Sequence, residues 1–273
     1  MKLNALWVGG DLTYIEQLCL TSALWVGHEV DLWAYEQIGN VPAGVKIRDA
    51  REVMPESLMI WSKQKNSPAV GADIFRIFLQ KQGRGCYIDC DLLFLKPIVD
   101  AEYIFCWDTP DIVHKAGSVP KSRLVNNAVL KLPSDSPIID PILALAAAKP
   151  IVLPWWSLRR RVKQRLNALI GRDRKIDNLP WTALGPSALT HFAREHGLLH
   201  KVLPSEIFNP VPPKRAEELF APSAPIHDCI TDRTVAVHLW HSKIGAFKNT
   251  PPPVGSFMHE HWASWSQRRA AAE

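Results

Sequence analysis

No run of the sequence approaches the roughly 20 uncharged apolar residues that cross a bilayer, so a membrane-spanning chain is not expected. Residues 1–12 hold Lys2 as their only basic residue and a short apolar run broken by polar residues, which is not the layout of a secretory signal. The five cysteines, Cys19, Cys86, Cys90, Cys106 and Cys229, are scattered, odd in number and without CxxC spacing. That pattern excludes a disulfide framework and a cysteine-based zinc site. Internal repeats are absent, which excludes a solenoid. Together these absences predict a chain that works in a reducing cytoplasm.

What is present is an ordinary globular mix, 47% hydrophobic and 22% charged over 273 residues. That length can bury one sizeable core, or one core with a smaller lobe. The net charge of +5 is uneven: residues 155–175 contain eight Lys and Arg against Asp173 alone, and the remainder is slightly acidic. Within that segment Leu158, Val162, Leu166 and Leu169 recur at helical spacing, with arginines on the other faces and Trp155 and Trp156 at the start. This is the make-up of an interfacial amphipathic helix drawn to anionic lipid. A core-packed helix with a solvated basic face, or an acceptor-binding insertion, has the same composition. No nucleic-acid recognition module accompanies the charge, so nucleic acid is not an expected partner.

The opening reads as strand, helix, strand: residues 3–8 are apolar, 12–26 carry helical spacing, and 29–34 are again short and apolar after Gly27. That alternation predicts an α/β fold with a mostly parallel central sheet flanked by helices. Residues 69–82 place Val70, Ile74, Ile77 and Phe78 on one helix face, and Gly83 is the expected stop. A buried strand at 86–88 runs into Asp89-Cys90-Asp91, followed by apolar residues 92–95. A strand is expected at 125–132, a helix at 136–148, a proline-rich and turn-rich region beyond Pro180, and a strand at 234–240.

Two aspartates at i and i+2 after an extended strand project to one side. Burying both unpaired is costly, so a cation is their natural partner. Mg2+ or Mn2+ held there can neutralise a diphosphate as a sugar leaves it. A phosphatase of the haloacid-dehalogenase type also places such a pair after a strand. That class wants Thr or Val two residues after the second Asp, where this chain has Leu93, and a later acidic pair that is missing.

Ala72-Asp73-Ile74-Phe75-Arg76, then Gly83-Arg84-Gly85-Cys86-Tyr87-Ile88-Asp89-Cys90-Asp91, then Leu95-Lys96-Pro97, resembles the signature of the DXD sugar-binding glycosyltransferases. That group includes the family 32 enzymes, bacterial capsular polysaccharide transferases and, more distantly, the large clostridial glucosylating toxins. Leu6-Trp7-Val8-Gly9, Gly27-His28-Glu29-Val30, Asp49-Ala50 and His238-Leu239-Trp240 extend the likeness over residues 3–250. Gly83-Arg84-Gly85 departs from the family's adjacent glycines.

The resemblance implies a GT-A fold, a single catalytic domain over 1–273 with a basic helical insertion at 155–175 and a donor-closing loop at 238–253. It implies a nucleotide-sugar donor, UDP-sugar favoured, and a glycan or lipid-linked surface-polysaccharide acceptor. Peripheral contact with the inner face of the cytoplasmic membrane would then run through 155–175. By residue it implies Trp7 beside the nucleobase, Asp73 and Arg76 on the donor sugar, Tyr87 on the nucleotide, Asp89 on the ribose and Gly185-Pro186 as an acceptor-side turn. Of His241, Lys243 and Lys248 in the glycine-containing loop that follows, Lys248 is the favoured point charge for the phosphates. Asp89, Asp91 and Asn127 are the catalytic set, and Asp89, Asp91 and His238 would hold Mn2+ or Mg2+. Taken without the resemblance, Trp7 and Tyr87 read equally as core residues, Asp73 and Arg76 as a surface ion pair, and Gly185-Pro186 as an ordinary turn. A non-catalytic or protein-directed sugar-nucleotide-binding effector is the alternative function.

Overall fold

A computed structural model of the chain describes residues 1–109 and 123–270. It is a mixed α/β structure built on a six-stranded sheet. β1 (Lys2–Trp7), α1 (Tyr14–Trp25) and β2 (Glu29–Ala34) form the opening strand-helix-strand unit, and β3 (Val45–Asp49) extends it outward. α2 (Ala69–Lys81) leads into β4 (Cys86–Ile88). β6 (Ile104–Trp107) and β7 (Val125–Lys131) complete the sheet in the order β3-β2-β1-β4-β7-β6. β3, β2, β1 and β4 run parallel, and β7 alone runs against both its neighbours, so five of six strands share one direction. This is the mostly parallel, helix-flanked sheet expected from the sequence. The strands at 45–49 and 104–107 were not expected; one is a short edge strand with four of its five residues exposed, which leaves no buried apolar run to read.

Alternation along the strands sorts side chains to two faces. Leu3, Ala5, Val30, Leu32 and Ile88 join Leu20 and Ala23 of α1. Leu6, Trp33, Tyr87 and Phe105 face α2, α3 (Ile139–Ala147) and α5 (Pro186–Glu195) through Phe75, Ile139 and Leu189. A third cluster forms where α1 turns Ile15 and Leu18 toward a two-stranded antiparallel ribbon of β5 (Leu92–Phe94) and β8 (Ala236–His238). α6 (Phe257–Ala270) closes that cluster with Phe257, Met258 and Trp265.

Local signals explain the ends that matter for the site. Thr13 caps α1 in a complete capping box with Glu16. α2 stops at the left-handed Gly83, as expected, and Gly85 after it also has positive φ, so the turn into β4 uses two glycines spaced by Arg84. The region beyond Pro180, expected to be turns, contains α5 with Pro186 at its first turn, where a missing N–H costs nothing. α4 (Leu158–Leu169) occupies the basic segment.

Candidate functional site

Asp89, Cys90 and Asp91 form the turn between β4 and β5. The Asp89 amide still donates to the Ala128 carbonyl at 2.7 Å, continuing the β4–β7 ladder and placing the aspartate across from Asn127-Ala128. Cys90 turns to the opposite side, its thiol against the Leu6 carbonyl in the apolar core. The ribbon supplies the third element: Leu92 pairs with His238, and the Leu239 amide donates to the Asp91 carbonyl at 2.9 Å. Asp89, Asp91 and His238 thereby offer one ligand atom each, all within 4.8 Å of one another.

The imidazole is oriented from behind. Asn209 is fully buried, and its Nδ2 donates to the Trp107 carbonyl at 2.9 Å, which leaves its Oδ1 facing His238 Nδ1 at 3.0 Å. An amide oxygen only accepts, so Nδ1 carries the proton and Nε2 faces Asp91 Oδ2 at 3.4 Å. With Nδ1 held as the donor, Nε2 is the atom that would give its lone pair to a cation on deprotonation, which is the arrangement of a metal-ligating histidine with its supporting partner. Two carboxylate oxygens and one nitrogen suit Mn2+ better than Mg2+.

Charges in the trio are unequally held. Burial raises the Asp91 carboxyl, but His238 and the His241 side chain and amide outweigh it and hold it well below the ordinary carboxylate range. Asp89 is pushed upward by burial and by Asp91, with Arg76 pulling the other way. Burial lowers the His238 imidazole, yet Asp91 and Asp89 raise it on balance. A cation held among these groups would face one ligand atom from each of the three.

Beside the trio lies a second buried constellation. Asp73 and Arg76, one turn apart on α2, are both 5% exposed, so they are not a surface ion pair. Arg76 lies over the Tyr87 ring at 4.4 Å, reaches Asp89 Oδ1 at 3.3 Å and Asp73 Oδ1 at 3.6 Å, and donates to the Asn127 carbonyl. Tyr87 donates its hydroxyl to Asp89 Oδ1 at 3.0 Å. Asn127 donates to Asp73 Oδ1 at 2.7 Å. Burial pushes the Asp73 carboxyl up to about 6 against the pull of Arg76 and Asn127. Gly185, the residue before α5, seals this corner: a Cβ there would lie 2.5 Å from the Asp73 carboxylate and the Asn127 amide.

Trp7 stands at the end of β1, its indole N–H on the Gly10 carbonyl and its ring edge-on to His241 at 6.0 Å. It walls a cavity of about 220 Å³ shared with Tyr35, Glu36, Glu56, Met59 and Trp61. Lys248 donates to His241 Nδ1 at 3.0 Å, and burial lowers its pKa. His241 also bonds Glu16 Oε1 through Nε2 at 2.9 Å and gives its amide to Asp91 Oδ2 at 2.6 Å. The structure thus brings eight of the nine singled-out positions, Trp7, Asp73, Arg76, Tyr87, Asp89, Asp91, Asn127 and His238, to one end of the sheet, and links the ninth, Lys248, to them through His241.

Four roles were missed from the sequence. Asn209 lies in a proline-flanked loop without periodicity, Gly185 is legible as an acceptor-side or ordinary turn but not as the seal over Asp73 and Asn127, and the Thr13/Glu16 spacing signals a cap but not the His241 partner. Trp240 stacks on His238 with centroids 4.1 Å apart and adopts φ +59°, a left-handed conformation rare for a bulky residue and costing about 1–3 kcal/mol.

No protein-family model matches the chain, and no curated protein does. Among solved structures, one titled PaToxG Glycosyltransferase superposes with a TM-score of 0.42 at 13% identity, covering 71% of this chain and 68% of that one.

Proposed function

We propose that this chain is a metal-dependent glycosyltransferase of GT-A type that takes a nucleotide-sugar, UDP-sugar favoured, and passes the sugar to a glycan or lipid-linked saccharide. The observation that carries the reading is the convergence of Asp89, Asp91 and His238 within 4.8 Å directly beside the buried Asp73–Arg76–Asn127 group. A cation bound by the trio would supply charge neutralisation for the leaving diphosphate. Arg76 is fixed by Asp73, Asp89, the Tyr87 ring and the Ala72 and Asn127 carbonyls, and needs no reorganisation to hold an oxygen-rich ligand. Asp73 and Asn127 offer matched acceptor and donor groups for sugar hydroxyls. The cavity walled by Trp7 and Trp61 takes a flat base, and Lys248 sets a point charge in the loop at 238–253 for the phosphates.

Asp73 and Asp89 are both engaged by Arg76, with Asn127 on one and Tyr87 on the other, which disfavours either as a covalent nucleophile. The reading is therefore front-face displacement: the acceptor hydroxyl forms the new glycosidic bond as the phosphate oxygen departs and takes up its proton, with anomeric configuration retained. All five cysteines are free, which fits a reducing cytoplasm. A single catalytic domain over the whole chain completes the proposal.

The test is a screen of UDP- and GDP-sugars for Mn2+-dependent hydrolysis, with Asp91→Ala as control. At least one donor should turn over and the variant should lose that turnover. No donor hydrolysed by the wild type, or full activity in the variant, would overturn the reading; an inverted product seen by NMR would remove front-face displacement alone.

A further inference from the structure

The basic segment presents a surface that the proposed chemistry does not use. The periodicity of α4 names an apolar stripe, and in a helix of an α/β layer such a stripe normally faces the core. Here it faces out: Leu158, Leu166 and Leu169 are 67%, 59% and 82% exposed, and Ile170 beyond the helix end is 64% exposed. The inward face is polar. Gln164 is the buried residue of the helix, and its amide donates to the carbonyls of Ile151 and Arg174 while its oxygen accepts from the Arg174 amide. A buried Gln satisfied on both ends avoids the cost of an unpaired polar group and ties the helix to the segments on either side of it. Trp156, one of the two aromatics expected to meet lipid, is instead part of the core, and Trp155 packs against His191.

At 3.6 residues per turn the exposed stripe is flanked by Arg159 and Lys163 on one side and Arg165 on the other. Beside Leu169 opens a groove of about 580 Å³ lined by Ala148, Pro150, Val152, Arg165, Ala168 and Leu169, apolar walls with one arginine. We propose that the outer face of α4 docks on an anionic lipid surface, its leucines entering the headgroup–acyl boundary and its arginines and lysine holding the phosphates.

Charge decides the occupant. A second copy docked through the same face would set Arg159, Lys163 and Arg165 against their own counterparts, and a nucleic acid would leave the leucine stripe in water. Only a surface that is apolar within and anionic at its rim satisfies both features. No described helix is long and apolar enough to cross a membrane, so the contact is peripheral. The segment after α4 is pinned to the loop that carries Trp61: the Lys63 amide donates to the Asp177 carbonyl at 2.8 Å, and Gln64 donates to the Asn178 carbonyl at 3.1 Å. The docking helix is thereby tied to one wall of the Trp7 cavity. The inference does not depend on what that cavity binds.

Flotation of the full chain with vesicles of phosphatidylcholine alone, or of phosphatidylcholine mixed with phosphatidylglycerol, tests it directly. The wild type should float with the mixed vesicles alone and detach as salt rises. R159E/K163E/R165E should bind more weakly on the order of 100-fold or beyond, since each basic residue near an anionic surface contributes roughly fivefold. L158Q/L166Q/L169Q changes exposed side chains only, should keep its circular dichroism, and should also lose binding. Equal flotation with both vesicle types, no flotation, or binding unchanged in either variant would overturn the proposal. So would concentration-dependent dimerisation abolished by the leucine variant, which would make this face a contact between copies.

Discussion

Replacing Asn209 with Ala tests the logic of the site without touching a ligand. The Asn209 oxygen is the acceptor of the His238 Nδ1 proton at 3.0 Å and so fixes which nitrogen faces Asp91. Without it the ring is free to turn or to exchange tautomers, and Nε2 no longer presents its lone pair by default. Loss of such a supporting partner lowers metal affinity by about 10–100-fold, equivalent to roughly 1.4–2.8 kcal/mol. The fold loses as well, because the Trp107 carbonyl and the His238 ring each forfeit a buried partner at about 1–3 kcal/mol apiece. Calorimetric titration of Mn2+ into the wild type, Asn209→Ala and Asp91→Asn measures the first effect, and thermal melts in chelator measure the second. Asn209→Ala should bind Mn2+ weakly and regain most of its turnover when Mn2+ is raised, whereas Asp91→Asn should not. A folded Asn209→Ala protein with wild-type Mn2+ affinity would refute the reasoning.

Other expectations follow from the same contacts. Arg76→Lys keeps the charge but not the planar fork shared among Asp73, Asp89 and the Asn127 carbonyl; donor turnover should fall far more than Mn2+ affinity, and comparable losses in both would point to a collapsed site. Gly185→Ala puts a methyl 2.5 Å from the Asp73 and Asn127 side chains, so it should cost roughly 1–3 kcal/mol and raise the donor KM; unchanged kinetics and melting would show that the corner has room. Glu16 is buried, and although burial raises its carboxyl, its hydrogen bonds from His241 and Thr13 lower it on balance. A depressed folded pKa stabilises above the unfolded value and is lost as pH falls through the folded one. Glu16→Gln should therefore be less stable than the wild type at neutral pH, with the gap closing in acid; a gap independent of pH would remove the ionised Glu16–His241 contact.

The parts of this site legible in the sequence are those where chemistry and spacing coincide. Asp73 and Arg76 declare a shared helix face, Asp89 and Asp91 a shared strand side, and His238 a strand end. Trp7 and Tyr87 were open between core and ligand, and the structure gives them both kinds of neighbour: Tyr87 is buried under Arg76 yet bonds Asp89, and Trp7 walls a cavity. Asn209 is silent, and Gly185 signals a turn but not its contact with Asp73, because these roles come from which loop is carried against which strand, information that lies in tertiary packing. α4 shows the limit most plainly. Its period identified the stripe, but a period says which residues share a face and not what that face meets; the structure leaves the stripe exposed and buries the hydrogen-bonded Gln164 instead.

The pairing of Leu92 with His238 joins parts of the chain nearly 150 residues apart. In time, this means that a growing chain already holding Asp89 and Asp91 has two carboxylates and no imidazole until the last strand is made and docked. Contacts of such long sequence separation form late, because loop closure has to be met first. If the trio binds a transition metal as proposed, strong binding would be deferred until folding is nearly finished, and the ion would favour the completed state over every earlier one by an amount set by its concentration and affinity. Acquisition of metal would mark the maturity of the molecule, and a chain arrested before Ala236 would carry the motif without its affinity.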